Sequence, residues 1–289
     1  MSNKQGGASA YGPNPWLQTS WDWRAAGNFI CGGAGTGLLM ARALFGEPTQ
    51  ASLWRPDWIV FIGLALVGLG LLCVWLEIGR PLRAINVFFN PQTSWMSREA
   101  FVGLLLFPAG LAAMLGVPGW NWVTAALALV FLYCQSRMLP AARGIPAWRS
   151  GLFSPLFLLT AGCEGLGIFL LLGLFFAPVR SAALIAFAVL LALRVLVWLR
   201  YRSDVDASLA APARRALDLA WQRLSMVGTS VPMVLLLIGA WLNQPLTLAL
   251  AGACAAWAGA SLKFTLVTRA SYNQGFALSK MPVRGVRTP

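Results

Sequence analysis

Apolar residues run along this chain in long blocks, and short polar stretches separate them. Eight blocks approach the roughly 20 residues that a helix needs to cross the hydrocarbon of a bilayer. They cover 25–45, 58–78, 100–117, 120–139, 152–176, 181–199, 224–242 and 246–268. The links at 116–119, 177–180 and 243–245 are very short. Links of that length join antiparallel neighbours. The remaining connections on one side, at about 79–99, 140–151 and 200–223, are longer and carry most of the polar residues. The pattern predicts an all-α integral membrane protein, a bundle of eight transmembrane helices in a single domain over 1–289. A polar N-terminal segment (1–24) leads into the bundle (25–268), and a basic tail (269–289) follows it. The first 23 residues lack an apolar core of the kind a cleavable leader has, so the first helix is expected to direct insertion.

Composition agrees with that class. Hydrophobic residues make up 58% and charged residues 11%, against roughly 25% charged in a soluble domain. A soluble enzyme is excluded. The net charge of +13 comes from 22 basic and 9 acidic residues. In a soluble protein it would suggest nucleic acid. Here the bases sit between apolar blocks, so they report orientation and no nucleic acid is expected. Eight crossings put 19 Lys and Arg on the side of the termini, Arg194 and Lys263 among them, and 3 (Arg42, Arg55, Arg180) on the other. The positive-inside rule then predicts cytoplasmic termini, with lipid around the bundle. Most of the 14 tryptophans, Trp148 included, fall near predicted helix ends, as in an interfacial belt.

Histidine is absent. That excludes a bis-histidine haem, a His-zinc site and a Ser-His-Asp triad. The five cysteines, Cys31, Cys73, Cys134, Cys163 and Cys254, lie in apolar blocks without a cluster-forming spacing. No haem, iron–sulfur cluster or metal is expected in this chain. An organic cofactor is still open to it.

Acidic residues are few enough to inspect singly. Glu164 lies near the middle of the fifth block, among Gly162, Gly165 and Gly167. An ionised side chain there costs at least a few kcal/mol unless paired. It is a candidate proton relay, or a carboxyl hydrogen-bonded to a neighbouring helix. Glu77 ends the second block and Glu99 opens the third. Between them lie Gly79, Arg80, Pro81, Arg83, Asn86, Trp95, Ser97 and Arg98. Gly79 and Pro81 stop a helix. Ser97 is expected to cap the third helix, with Glu99 in its first turn. Arg80, Arg83 and Arg98 are expected to pair with the two carboxylates. The segment concentrates guanidiniums, carboxylates, amides and an indole at the membrane surface.

The run Glu-Ile-Gly-Arg-Pro-Leu-Arg-Ala-Ile-Asn at 77–86, then Thr-Ser-Trp-Met-Ser-Arg-Glu at 93–99, resembles the signature loop of the membrane anchor subunits of molybdopterin oxidoreductases. These are anchors of the dimethyl sulfoxide reductase and polysulfide reductase type. The length and eight-helix plan also agree. The tail Ser-Tyr-Asn-Gln-Gly-Phe-Ala-Leu at 271–278 and the Trp-rich N-terminus are a weaker signal and look like the anchor of phenylacetyl-CoA:acceptor oxidoreductase. The resemblance implies a bundle that holds an iron–sulfur electron-transfer subunit and a molybdenum catalytic subunit at the bacterial inner membrane. It implies electron exchange with a quinone, ubiquinone or menaquinone, and no haem. Glu99 matches an acidic residue that the family places at the quinone site. Glu77 falls where many members have His. By this reading Glu99 and Glu77 relay protons to quinone, and Glu164 is a further candidate. Arg80, Arg83, Asn86, Trp95, Ser97 and Arg98 bind quinone or dock the partners. The dimethyl sulfoxide reductase type has its partners outside the cytoplasm. The charge split puts this loop inside, so the partners are expected on the cytoplasmic face. The competing readings are a secondary transporter built on Glu164 and a passive anchor without quinone.

Overall fold

The computed structural model describes residues 15–47, 51–77, 81–176 and 179–275, the side chains of 81–83 excepted. Every extended element among them is helical. The helices are α1 (Trp23–Phe45), α2 (Trp58–Glu77), α3 (Trp95–Met114), α4 (Trp120–Ala141), α5 (Phe153–Leu172), α6 (Ser181–Val205), α7 (Ala211–Ser225), α8 (Val231–Leu242) and α9 (Pro245–Phe264). A 3-10 segment, Pro81–Phe89, precedes α3. A π-helical stretch, Met226–Ser230, joins α7 to α8. Seven stretches are long and apolar enough to cross a membrane: α2 to α6, the continuous 32-residue run of α7 and α8, and α9 with the turn that follows it.

The remaining helix, α1, has 23 residues, roughly 35 Å at 1.5 Å per residue. It lies in the middle of the bundle, against α2, α4, α5 and α9. Its surface meets protein rather than lipid, so small residues serve it better than bulky apolar ones. A Cβ on Gly37 would run into the Ala161 carbonyl of α5, and one on Gly165 of α5 would run into the Gly37 backbone. Asp22 caps α1 through the Arg24 N–H at 2.8 Å. The hydrogen bond from the Arg24 side chain holds the Asp22 carboxyl below its usual range. The two ends of the described polypeptide meet. Leu17 bridges Tyr272, and Gln18 donates its backbone N–H to the Ser271 carbonyl at 3.1 Å.

Several elements differ from the sequence expectations. The third helix begins at Trp95, not at residue 100, and Ser94 caps it by accepting from the Ser97 N–H at 3.3 Å. Ser97 is therefore inside the helix, and Glu99 lies beyond the first turn. The stretch 200–223 is mostly helix rather than loop. Its apolar residues Ala213, Leu217, Ala220 and Leu224 recur at helical spacing and are buried. An apolar-block count passes over such an amphipathic run. Arg202 ties α6 to α7 through Asp218 at 2.6 Å. Trp148 is no belt residue. It is wholly buried and donates its indole N–H to the Leu266 carbonyl at 2.9 Å. Arg194 and Lys263, counted among the 19 surface bases, are 0% and 1% exposed inside the bundle. Arg42, one of the 3, is likewise buried at 4%, so removing the buried bases from both sides leaves 17 against 2.

Candidate functional site

A cavity of about 600 Å³ opens between α2, the 3-10 segment and α3. Leu71 and Trp75 come from α2, Ile85 and Phe88 from the 3-10 segment, and Met96, Leu104 and Phe107 from α3. The 3-10 segment lays Ala84, Ile85, Val87 and Phe88 over the gap between the two helices. Phe88 sits edge-on to Phe101 of α3 at 5.2 Å between ring centres. Among the described residues, Glu99 is the ionisable one in this wall.

Glu99 is held from the side away from the cavity. The Gln135 side chain of α4 donates to it at 3.2 Å and also to the Asn28 carbonyl of α1 at 3.0 Å. The Asn28 side chain supplies a second hydrogen bond. Glu99 is 4% exposed, and both amides are equally buried. Two amide donors fix the carboxyl rotamer and leave its chemistry facing an apolar space.

The other residues singled out from the sequence are distributed differently. Arg98 does not pair with Glu99. It donates to the Pro91 and Gln92 carbonyls at 2.7 and 2.6 Å and lies over the Trp95 ring at 4.3 Å. Those bonds close the turn before α3 and aim its guanidinium back along the loop. Trp95 also faces Arg137 of α4, 5.5 Å away, and meets Tyr133 edge-on. Glu77 ends α2 near Arg24, whose guanidinium donates to the Leu76 carbonyl at 2.9 Å. Asn86 is exposed, and Ser97 is buried in α3. None of Glu77, Asn86, Trp95, Ser97 and Arg98 lines the cavity. Arg80 and the Arg83 side chain lie outside the described residues. The expected ring of guanidiniums and carboxylates thus resolves into one carboxyl at the cavity and a separate surface group around Trp95.

Glu164 lies apart from this cavity. It pairs with Lys263 of α9 at 2.5 Å, both side chains being 1% exposed. Lys263 also donates to the Phe29 carbonyl at 3.0 Å and faces the Phe157 ring at 4.8 Å. Asn28 and Phe29 are consecutive. Their carbonyls receive Gln135 on one flank of α1 and Lys263 on the other. Sequence reasoning missed Asn28, Gln135 and Lys263. A polar residue inside an apolar block is the signal that flagged Glu164, and it applies equally to these three.

Among the described residues no group of three or more His, Cys, Asp or Glu converges as a metal site would require. The described donor set fits a quinone instead. Apolar walls suit a ring and an isoprenoid tail, and Glu99 offers a hydrogen-bonding carboxyl for a carbonyl oxygen.

Comparison with known proteins gives the family. Residues 27–205 match the family model described as DMSO reductase anchor subunit (DmsC). The protein is 29% identical over 142 residues to the C chain of anaerobic dimethyl sulfoxide reductase from Haemophilus influenzae, an overlap of 46% of this sequence and 50% of that one. It is 30% identical over 128 residues to the protein of the same name from Escherichia coli, an overlap of 40% and 45%. The match thus spans about half the length of these relatives.

Proposed function

Because this chain belongs to the DMSO reductase anchor subunit family, we propose that it holds two partners, an iron–sulfur subunit and a molybdenum catalytic subunit, at the membrane and passes electrons between the docked iron–sulfur subunit and quinone bound beside Glu99. The observation that carries this reading is one carboxyl in the wall of a cavity of about 600 Å³ whose other described lining residues are apolar. A quinone held there would supply two-electron, two-proton redox chemistry. Glu99 would hydrogen-bond one carbonyl oxygen and carry one of the two protons to or from it. Gln135 and Asn28 keep that carboxyl aimed outward as its proton comes and goes. Trp75, Phe88 and Phe107 exclude water from the ring. Arg98 and Trp95 form the nearby surface on which a partner docks, with Glu77 and Arg24 at its edge.

In this reading α1 is an eighth crossing. Its length supports that, and so does the bridge between Leu17 and Tyr272, which brings the two ends of the described polypeptide to one side. The charge excess of 17 to 2 supports a cytoplasmic position for that side in a bacterial inner membrane. A reporter fused to the C-terminus is expected to read cytoplasmic, and an external reading reverses the docking face.

Quinone binding is tested by filling the cavity. Ala100→Phe puts a ring where the head group would sit. Titration of the purified complex with a fluorescent quinol analogue should then show at least tenfold weaker binding, a loss of about 1.4 kcal/mol. Unchanged binding puts the quinone elsewhere.

A further inference from the structure

A second cavity, of about 540 Å³, lies where α4 ends and α5 begins. Arg137, Arg143, Arg149, Ser150, Ser154 and Pro140 line it. Among the described residues, three cations and no carboxylate form the wall. Arg149 is held toward its neighbours by donating to the Arg143 carbonyl at 2.5 Å. Ser150 engages Asp204 through its hydroxyl and also accepts from the Leu152 N–H at 3.1 Å, so the nearby carboxylate is already occupied. Helix α5 starts here without a side-chain cap. The positive end of its dipole therefore adds to the three guanidiniums. The geometry is that of a site for a phosphate group.

What the phosphate is attached to follows from α4. Val130, Tyr133 and Arg137 are three and four residues apart, so they share one face of the helix. Val130 and Tyr133 are both 46% exposed, and Leu129 beside them is 52% exposed, inside a stretch apolar enough to lie in the bilayer. An apolar, lipid-facing stripe therefore runs straight up to the arginine cavity. That is the layout of a phospholipid, with acyl tails on the stripe and the head group among the arginines. An acidic protein segment would need a polar approach, which this face of α4 lacks.

We propose that this cavity binds the head-group phosphate of one anionic phospholipid, and that the lipid is a built-in part of the anchor. Basic pockets between membrane helices bind such anionic head groups. The site is distinct from the quinone cavity, so the proposal stands whether or not quinone binds beside Glu99.

The test uses the intact detergent-solubilised complex and native mass spectrometry, titrated with phosphatidylglycerol or with phosphatidylcholine. Phosphatidylglycerol should give a saturable single-lipid adduct that phosphatidylcholine does not match. Replacing Arg137, Arg143 and Arg149 with Gln should weaken it about fivefold per arginine. The corresponding triple Lys variant should retain the adduct, which separates lost charge from lost folding. Inorganic phosphate at the same concentration should not displace it. Equal retention of the two lipids overturns the proposal, as does an unweakened adduct in the Gln variant or displacement by inorganic phosphate. Loss of partner subunits from the Gln variant with its lipid adduct unchanged also overturns it, and assigns the arginines to an acidic partner instead.

Discussion

Glu99 and Glu164 are both almost wholly buried, at 4% and 1% exposure, yet their surroundings differ in kind. Glu164 faces a cation, Lys263, with glycines packed around the pair. Glu99 faces two neutral amides on one side and an apolar cavity on the other. A buried carboxylate whose charge is balanced by a fixed cation is held in one state. A buried carboxyl without one, beside a space large enough for a ligand, is free to change state when the contents of that space change. Burial of an acid therefore does not mark function by itself. The partner does.

The largest expected effect tests the structural half of that contrast. Lys263→Met leaves Glu164 without its cation. Breaking one side of a buried ion pair costs on the order of 3–5 kcal/mol. Thermal unfolding of the purified complex should register it, and adding Glu164→Leu should recover most of the loss, since an apolar pair of similar volume is tolerated. A single variant as stable as the parent would remove the distinction between the two acids. The second effect concerns chemistry. Glu99→Gln retains the shape and the amide contacts and removes the proton. Quinone-coupled turnover should fall about 10²-fold, the scale of a lost acid–base group, while transfer to a soluble dye from the partner subunits survives. If the complex falls apart instead, Glu99 is a structural acid like Glu164. The smallest effect sharpens the role of the amides. Gln135→Leu removes one donor to Glu99 and one to the Asn28 carbonyl. Quinone turnover should fall about tenfold, corresponding to about 1.4 kcal/mol, with the complex still assembled. No change would mean that the Asn28 side chain suffices to hold the carboxyl.

Much of this is legible in the sequence. Apolar blocks of about 20 residues locate most of the crossing helices, because lipid demands apolar side chains on every helix that faces it. The same criterion fails at α7, which is amphipathic, and underrates α1, which faces protein. Glu99 and Glu164 stand out because charges are rare in apolar blocks. Their roles do not, because Lys263 lies 99 residues from Glu164 and Gln135 lies 36 from Glu99. Sequence neighbours suggest Arg98 for Glu99, but the turn at Pro91 and Gln92 takes up that guanidinium first. Trp148 misleads for the same reason. A position near a helix end says nothing about which neighbour closes over it.

That 99-residue separation also has a meaning in time. A ribosome adding roughly 5–20 residues per second delivers Lys263 on the order of 5–20 seconds after Glu164. During that interval α5 has entered the membrane, and the ammonium that will neutralise its carboxyl does not yet exist. Glu164 must cross as the neutral acid, or wait beside water or the insertion machinery, until α9 arrives. The arrival of α9 at once supplies the missing charge, fills the remaining flank of α1 and brings Tyr272 to Leu17. Helix α9 is therefore the one that completes the pairing inside the bundle. A ribosome that stalls before it leaves behind a polypeptide with an unmatched acid in the bilayer.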